Sequence, residues 1–180
     1  MTAWFLGLAM LPLTVYAAAS VAEMAVGDPL PVLRGDFLTG RTAVLPQAAS
    51  GRVALLLLGF TYDSRFAVEA WAKKFREQFG ADPRVTFYEI PMIGGLARLG
   101  KWFIDSGMRR GAPKADYEHV ITVYGGTDPW KQRVGFRDPG AAYLILLDAS
   151  GKVARRHSGG LDEQAYHALS SEVSRLLAGD

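Results

Sequence analysis

The side chains best suited to catalysis in this sequence are three histidines and a short polar turn. The histidines are His119, His157 and His167, and the turn is Asp-Ser-Arg at 63–65. A zinc site needs several ligands that converge on one point, and the wide spacing of these histidines predicts no such convergence. There is no G-x-S-x-G nucleophile motif, and Gly94-Gly95 is not followed by the rest of a phosphate-binding loop. We therefore predict no metal, no cofactor and no catalytic residue of these classes.

The polar turn at 63–65 supports two interpretations. Asp63 with the nearby Arg65 could bind a polar ligand. Alternatively, Asp63 or Ser64 caps the helix that follows, which contributes about 1 kcal/mol through a hydrogen bond to a first-turn N–H group. Both interpretations stay open, and Asp63 and Arg65 are candidate binding residues.

The absence of cysteine excludes a whole group of mechanisms. None of the 180 residues is cysteine, so the chain forms no disulfide, thiolate metal site or thiol nucleophile. Its 20 Lys+Arg and 18 Asp+Glu give a net charge of +2, which is too small to predict nucleic-acid binding. A hydrophobic content of 49% with 21% charged residues predicts a globular domain.

Basic residues are concentrated between Arg98 and Arg137, where eight of them stand against four acidic residues. Bulky apolar residues are interleaved with these charges. The segment could face anionic lipid headgroups or a partner helix, because each exposed basic residue contributes about 1 kcal/mol near an anionic surface. Alternatively, the aromatic residues belong to the core and the charges are solvated. The candidate binding residues in this segment are Arg98, Lys101, Trp102, Arg109, Arg110, Trp130 and Arg133.

The N-terminal segment, residues 1–22, has the composition of a targeting sequence. Residues 3–22 carry no charge, and the small residues at 17–20, Ala-Ala-Ala-Ser, offer an A-x-A cleavage site. About 20 apolar residues can also just span a bilayer. A cleaved signal, a retained anchor and an ordinary buried helix are the three interpretations. The first two predict an exported protein in the periplasm or another extracytoplasmic space, membrane-anchored if residues 3–22 are retained.

The remainder, 26–180, is predicted to be one α/β domain with a central mixed sheet flanked by helices. An apolar run at 52–60 bounded by glycines is typical of a central strand buried on both faces. The spacing of Phe66, Val68, Trp71 and Phe75 predicts a helix that ends at Gly80. The predicted order is a hairpin at 36–44, strand 52–60, helix 63–79, strand 84–90 ended by Pro91, a helix opened by Gly94-Gly95 and closed at 109–113, strand 119–124, an irregular connection at 127–138, a hairpin at 142–157 and helix 161–177.

This order resembles the thioredoxin fold, especially its peroxiredoxin and TlpA-like branch with an N-terminal hairpin extension. The resemblance rests on the opening Val-Gly-Asp-Pro-Leu-Pro at 26–31 and on Leu-Leu-Asp-x-x-Gly-Lys-Val at 146–153 before the last helix. In redox-active relatives a reactive cysteine follows the first central strand, where this chain has Phe-Thr-Tyr-Asp at 60–63. The position of the family's cis-proline falls on Ala142, with Pro139 three residues earlier. The resemblance therefore implies a member without thiol chemistry.

Three further features look like the thioredoxin-like assembly factor for the membrane sector of mitochondrial ATP synthase. They are Trp71 with Phe75, the long segment between Ile90 and Tyr124, and the ending from Tyr143 to Gly159. This likeness implies a chaperone-like domain that binds a membrane-protein partner without turnover, and it supplies no catalytic residue.

We therefore expect a redox-inactive, exported binding or assembly factor for a membrane or envelope protein. An anionic membrane surface is a second candidate partner, and no nucleic acid is expected. Two alternatives stay open. One is a cysteine-independent enzyme or ligand-binding protein that uses the former redox cleft around Asp63, with His119, His157 or Tyr124 within reach. The other is a structural subunit of an envelope complex.

Overall fold

The computed structural model describes residues 21–95, 100–111 and 113–179, without the side chains of Trp102 and Phe103. All but the last two residues of the predicted signal or anchor, and Arg98 of the predicted binding set, lie outside the described residues. Within the described ranges, no helix is both long and apolar enough to span a membrane.

Seven strands form one sheet in the order β2-β1-β5-β4-β3-β6-β7. Strands β3, β4 and β5 run parallel to one another, and the other neighbours are antiparallel. The predicted N-terminal hairpin and mixed sheet are thus confirmed. The elements are β1 Leu33–Phe37, β2 Thr42–Leu45, β3 Val53–Gly59, α1 Ser64–Phe79, β4 Val85–Ile93, α2 Lys101–Gly111, β5 Ile121–Tyr124, α3 Thr127–Val134, β6 Ala142–Leu147, β7 Val153–Gly159 and α4 Glu163–Ala178.

The core lies on both faces of the sheet, and β3 is buried along its whole length. On one face, α1 and α4 contribute Trp71, Phe75, Leu169 and Val173, among others. The hairpin β1–β2, α3 and the chain before β1 supply the core residues of the other face. Burying both faces explains why β3 reads as a continuous apolar run rather than an alternating one.

The chain before β1 lies along β7 and the end of α3. Met24 is buried, and its N–H donates to the carbonyl of Arg133 at 2.9 Å. Gly27 N donates to the carbonyl of Val153, and Val153 N donates to the carbonyl of Asp28, both at 2.8 Å. These bonds pair the chain with the outer side of an edge strand, which would otherwise present unsatisfied backbone groups there.

Two predictions about secondary structure are wrong. Strand β4 does not end at Pro91 but continues to Ile93, with Pro91 paired in register with Gly59. Pro91 fits because β5 meets β4 at Glu89 and again from Met92 onward, not at the proline. Phe66 shares the helical spacing of Val68, Trp71 and Phe75 but, unlike them, is 58% exposed.

The connection at 127–138 is not irregular, because residues Thr127–Val134 form α3. The Asp128-Pro129 pair predicted a turn, but it occupies the first turn of a helix, where a missing N–H costs nothing. Trp130 and Val134 are both buried, and Gly135 ends the helix in the left-handed conformation with φ 66°. Spacing by four residues between Trp130 and Val134 was the available helical signal.

Candidate functional site

Several chain segments meet at one edge of the sheet, which we call the carboxyl edge because β3, β4 and β5 end there. The turn 60–63 follows β3, and the antiparallel β6 starts beside it, with Tyr143 opposite Leu58. Gly94, after β4, lies so close to α3 that a Cβ there would be 2.8 Å from Thr127 Oγ1. In open α/β sheets the carboxyl ends of the strands are the usual place for a binding site.

Hydrogen bonds hold the turn 60–63 in place. Thr61 N donates to Ser64 Oγ, and Ser64 N donates to Thr61 Oγ1, each at 3.2 Å. Ser64 Oγ donates in turn to the carbonyl of Thr61 at 2.8 Å, and Ser64 is fully buried. The predicted capping by Asp63 or Ser64 is therefore wrong in detail. Asp63 occupies the N-cap position without a side-chain capping bond, and Thr61 binds the first helical N–H.

An aromatic cluster packs behind this turn. The rings of Phe60, Phe136 and Tyr143 lie 5.3 to 5.6 Å apart, with Phe60 edge-on to the other two. Tyr143 Oη accepts hydrogen bonds from the backbone N–H groups of Arg137 and Asp138, each at 2.9 Å. These contacts fix the loop between α3 and β6 against the turn.

The same loop is bonded directly to the turn through Pro139. Thr61 Oγ1 donates to the carbonyl of Pro139 at 2.6 Å. Pro139 therefore faces the position at which redox relatives of the resemblance keep their thiol, although β6 begins with Ala142. Among the described residues the single cis peptide bond is Leu45–Pro46, so the bond before Pro139 is trans.

The exposed side of the turn carries what we call the aromatic patch, which consists of Tyr62, Arg65 and Phe66. Tyr62 is 72% exposed and Phe66 is 58% exposed, and they are two of the four large exposed hydrophobic residues in the described ranges. The Arg65 guanidinium carbon lies 4.3 Å from the ring centroid of Tyr62 and 4.4 Å from that of Phe66. Cation–π attraction of this kind holds the guanidinium close to both rings.

Arg65 makes no ion pair with any described residue, although Asp63 and Glu69 are close in sequence. Its hydrogen-bonding edge is thus available to solvent or to a partner. An exposed apolar patch around an unpaired cation is a common feature of interaction surfaces.

Lys101, in the predicted basic segment, is held by a compact internal network. Its Nζ donates to Asp36 at 2.9 Å and to Asp105 at 3.1 Å, and it lies 4.4 Å from the ring centroid of Tyr124. Tyr124 Oη donates to the other oxygen of Asp105 at 2.6 Å. Burial lowers the pKa of Lys101, but the hydrogen bonds to both carboxylates outweigh burial, so the pKa is raised overall. Burial and Asp105 together raise the pKa of Tyr124 well above its usual value.

The other predicted residues of this segment divide between internal and exposed positions. Arg109 Nε donates to the carbonyl of Leu38 at 2.9 Å. Trp130 is buried, and the Arg133 guanidinium carbon lies 5.3 Å from its ring centroid. Arg110 is exposed, and its side chain makes no hydrogen bond, ion pair or ring contact with another described residue. The predicted binding role of the set stays a prediction, with Asp63 and Arg65 brought together in one turn.

The histidines and Tyr124 have partners other than Asp63. His119 stacks on Phe87 with ring centroids 4.5 Å apart, and His157 lies 5.4 Å from the ring of Trp71. Burial lowers the pKa of His157, and its Nε2 is buried without a hydrogen-bond partner. The described residues contain no group of three ligands able to hold a metal ion. The described contacts therefore assemble no acid–base pair at the former redox position.

Three residues of interest were not predicted from the sequence. Tyr62 is not among the predicted binding residues, and Phe66 was grouped with Val68, Trp71 and Phe75 by helical spacing, although it departs in angle from the stripe that those three define. The third residue, Glu89, lies in β4. A carboxylate within a hydrophobic strand is a sequence signal for a buried titratable group. Burial and the neighbouring Glu69 raise the pKa of Glu89 to about 7, against a lowering effect of Arg76.

Comparison with known proteins identifies the fold. No family model matches the chain, and no curated protein matches it. Solved structures do match. A proposed protein disulfide isomerase from Bacteroides thetaiotaomicron has a TM-score of 0.61 and 15% identity over 86% of this chain and 91% of that one. The exposed lipoprotein thioredoxin of Streptococcus pneumoniae has a TM-score of 0.54 and 15% identity over 79% and 99%.

A peroxiredoxin-like protein from Aquifex aeolicus is similar too, with a TM-score of 0.53 and 18% identity over 86% of this chain and 88% of that one. The chain therefore has a thioredoxin-like fold, as the order of its elements predicted. It has no cysteine, so it lacks the thiols on which thiol–disulfide exchange depends.

Proposed function

We propose that this protein is a redox-inactive, thioredoxin-like binding factor that assists the assembly of a membrane or envelope protein. The observation that carries the proposal is the aromatic patch. Where the resemblance places a reactive thiol, the chain exposes Tyr62 and Phe66 with Arg65 between them. A surface of this kind can bind an apolar segment of another protein, and it has no thiol that could form a mixed disulfide with that partner.

The turn that carries the patch is held by hydrogen bonds, and this favours a binding role for the patch. Thr61 and Ser64 hold the turn by reciprocal hydrogen bonds, and Pro139 ties it to the neighbouring loop. A preorganised surface loses less conformational entropy when it binds a partner. Export is part of the proposal and is supported by the uncharged run at 3–22 and the small residues at 17–20.

Site-specific crosslinking tests the proposal. Because the chain has no cysteine, a single introduced cysteine is the only thiol that the label can modify. Phe66→Cys and the control Ala81→Cys each introduce one thiol for a photoreactive label. Residue 81 is exposed and lies between α1 and β4, at the opposite edge of the sheet. In membranes of the producing cell we expect a discrete crosslinked species from position 66 and none from position 81. Equal labelling from both positions would contradict the proposal.

An insulin-reduction assay provides the complementary test. Without cysteine, the purified chain should show no turnover above a reaction that lacks protein, whereas a thioredoxin reduces insulin readily. Turnover comparable to that of a thioredoxin would overturn the proposed class of function.

A further inference from the structure

Within the part of the chain that the structure describes, the Arg65 guanidinium of the aromatic patch has no ionic partner in its immediate surroundings. Its guanidinium is stacked on both rings, but it has no carboxylate partner among the described residues. Elsewhere in the described chain, arginines 41, 76, 84, 156 and 175 each form an ion pair with a carboxylate. A guanidinium is planar and presents its N–H groups in one plane, and a carboxylate binds two of these groups with parallel hydrogen bonds.

The position of Arg65 in α1 also favours an anion. It belongs to the first turn of a 16-residue helix, whose N-terminus carries partial positive charge. The N–H groups of Arg65 and Phe66 make only long turn contacts, each 3.4 Å, to the carbonyls of Tyr62 and Asp63. Asp63 opposes an incoming carboxylate by its own charge, because it is exposed and its side chain makes no capping bond.

We propose that the aromatic patch recognises a carboxylate borne on an apolar segment of the partner protein. The carboxylate would pair with the Arg65 guanidinium, and the apolar flanks would cover Tyr62 and Phe66. This inference rests on the proposed binding function and adds the chemistry of the partner. Charge complementarity with the unpaired Arg65 favours a partner segment that contains an acidic residue within an apolar sequence. A basic segment or a purely apolar segment would not provide this complementarity.

Two peptides that differ in one side chain test this recognition. The acidic probe is acetyl-Gly-Ser-Leu-Leu-Glu-Leu-Leu-Ser-Gly-amide, and the neutral probe has Gln in place of Glu. Binding to the full chain is measured by isothermal titration calorimetry. We expect the acidic peptide to bind about tenfold more tightly, since a hydrogen-bonded charge pair at a partly exposed site contributes at the low end of the range for charged groups.

Variants of the chain assign the discrimination to individual residues. Arg65→Gln should remove the preference for the acidic peptide, and Arg65→Lys should keep only part of it because the planar fork is lost. Asp63→Asn should strengthen binding of the acidic peptide by removing a like charge. The matched control is Arg34→Gln, an exposed arginine on β1 outside the predicted binding set and without a described side-chain partner, which should leave the preference unchanged.

The proposal is overturned if the two peptides bind equally, if neither binds, or if the preference survives Arg65→Gln. None of these outcomes bears on crosslinking at position 66, so failure of the carboxylate recognition is distinguishable from failure of the binding function itself.

Discussion

Two regions of the molecule use the same residue types in opposite ways. In the turn that leads into α1, Arg65 stacks on two exposed rings and has no acidic partner. In the network around α2, Lys101 stacks on the ring of Tyr124 and is bonded to two carboxylates. The Arg65 guanidinium therefore keeps N–H donors for another molecule, whereas the Lys101 ammonium donates its hydrogen bonds to groups within the fold. We therefore expect a basic residue beside an aromatic ring to indicate a binding surface only when its remaining donors are unsatisfied.

The largest expected effect is on stability and comes from the internal network. Asp105→Ala should lower the free energy of unfolding by about 3 kcal/mol, because it removes the carboxylate acceptor of the Tyr124 hydroxyl and leaves Lys101 with only one of its two carboxylates. Urea denaturation followed by circular dichroism measures the change. Asp63→Ala is the matched control and should cost less than about 0.5 kcal/mol, since Asp63 is exposed and makes no capping bond. Equal losses of stability in the two variants would contradict the proposed difference between the Lys101 network and the turn at Asp63.

The second largest effect is on the pH dependence of stability and comes from Glu89, a partly buried carboxylate without an ion-pair partner among the described residues. The folded-state pKa of Glu89 is about 7, above its ordinary value of 4.5, because burial disfavours the carboxylate and Glu69 adds to that effect. The folded chain thus holds a proton that the unfolded chain has released, so stability should fall as pH rises from about 4.5 to 7 and level off above that. Glu89→Gln should stabilise the chain at pH 8 by about 2 kcal/mol.

The test of Glu89 is a denaturation series from pH 5 to pH 8 on both chains. The difference between Glu89→Gln and the original chain should be larger at pH 8 than at pH 5. A difference that does not change with pH would mean that Glu89 is ionised throughout, and the account of its burial would be wrong.

A smaller loss of stability is expected from the support of the turn. Thr61→Val keeps the shape of the side chain but removes the hydroxyl that binds Pro139 and Ser64. The loss should be about 1 kcal/mol, as for a helix cap or an exposed hydrogen bond. Thermal unfolding measures it, with the exposed Thr39→Val at the β1–β2 turn as the control. A loss no greater than that of the control would show that the turn is held by packing alone.

The smallest effect on stability is expected from the aromatic patch itself. The double variant Tyr62→Ser, Phe66→Ser should change the free energy of unfolding by no more than about 0.5 kcal/mol, because both rings are largely exposed. The same variant should nevertheless lose most of its peptide binding. A large drop in stability would mean that the rings serve the fold, and the patch would no longer count as a binding surface.

The architecture was largely readable from the sequence because the signals were strong and local. The buried run that became β3, the helical stripe of α1 and the final hairpin each follow from hydrophobic periodicity. The failures occurred where one residue type has two structural uses. Pro91 continues a strand, and Pro129 sits in the first turn of α3, although proline more often ends such elements.

The site was less predictable because it depends on which donors are satisfied in three dimensions. The sequence placed Asp63 and Arg65 in one turn and Lys101 in a basic segment, but it contains no sign that Asp36, on a distant strand, would pair with Lys101. It also could not show that the rings of Tyr62 and Phe66 would both lie close to one guanidinium. Long-range pairing is decided by packing, which local spacing does not report.

The most direct test of the account compares capture of partners by the two regions. Single labels at Phe66→Cys and Arg110→Cys place the same photoreactive group on the aromatic patch and on the exposed end of α2. In membranes of the producing cell, the account predicts a discrete crosslinked species from position 66 that disappears when Tyr62 is also changed to Ser, and a weaker or absent one from position 110. A stronger species from position 110, or one from position 66 that is indifferent to Tyr62→Ser, would contradict it.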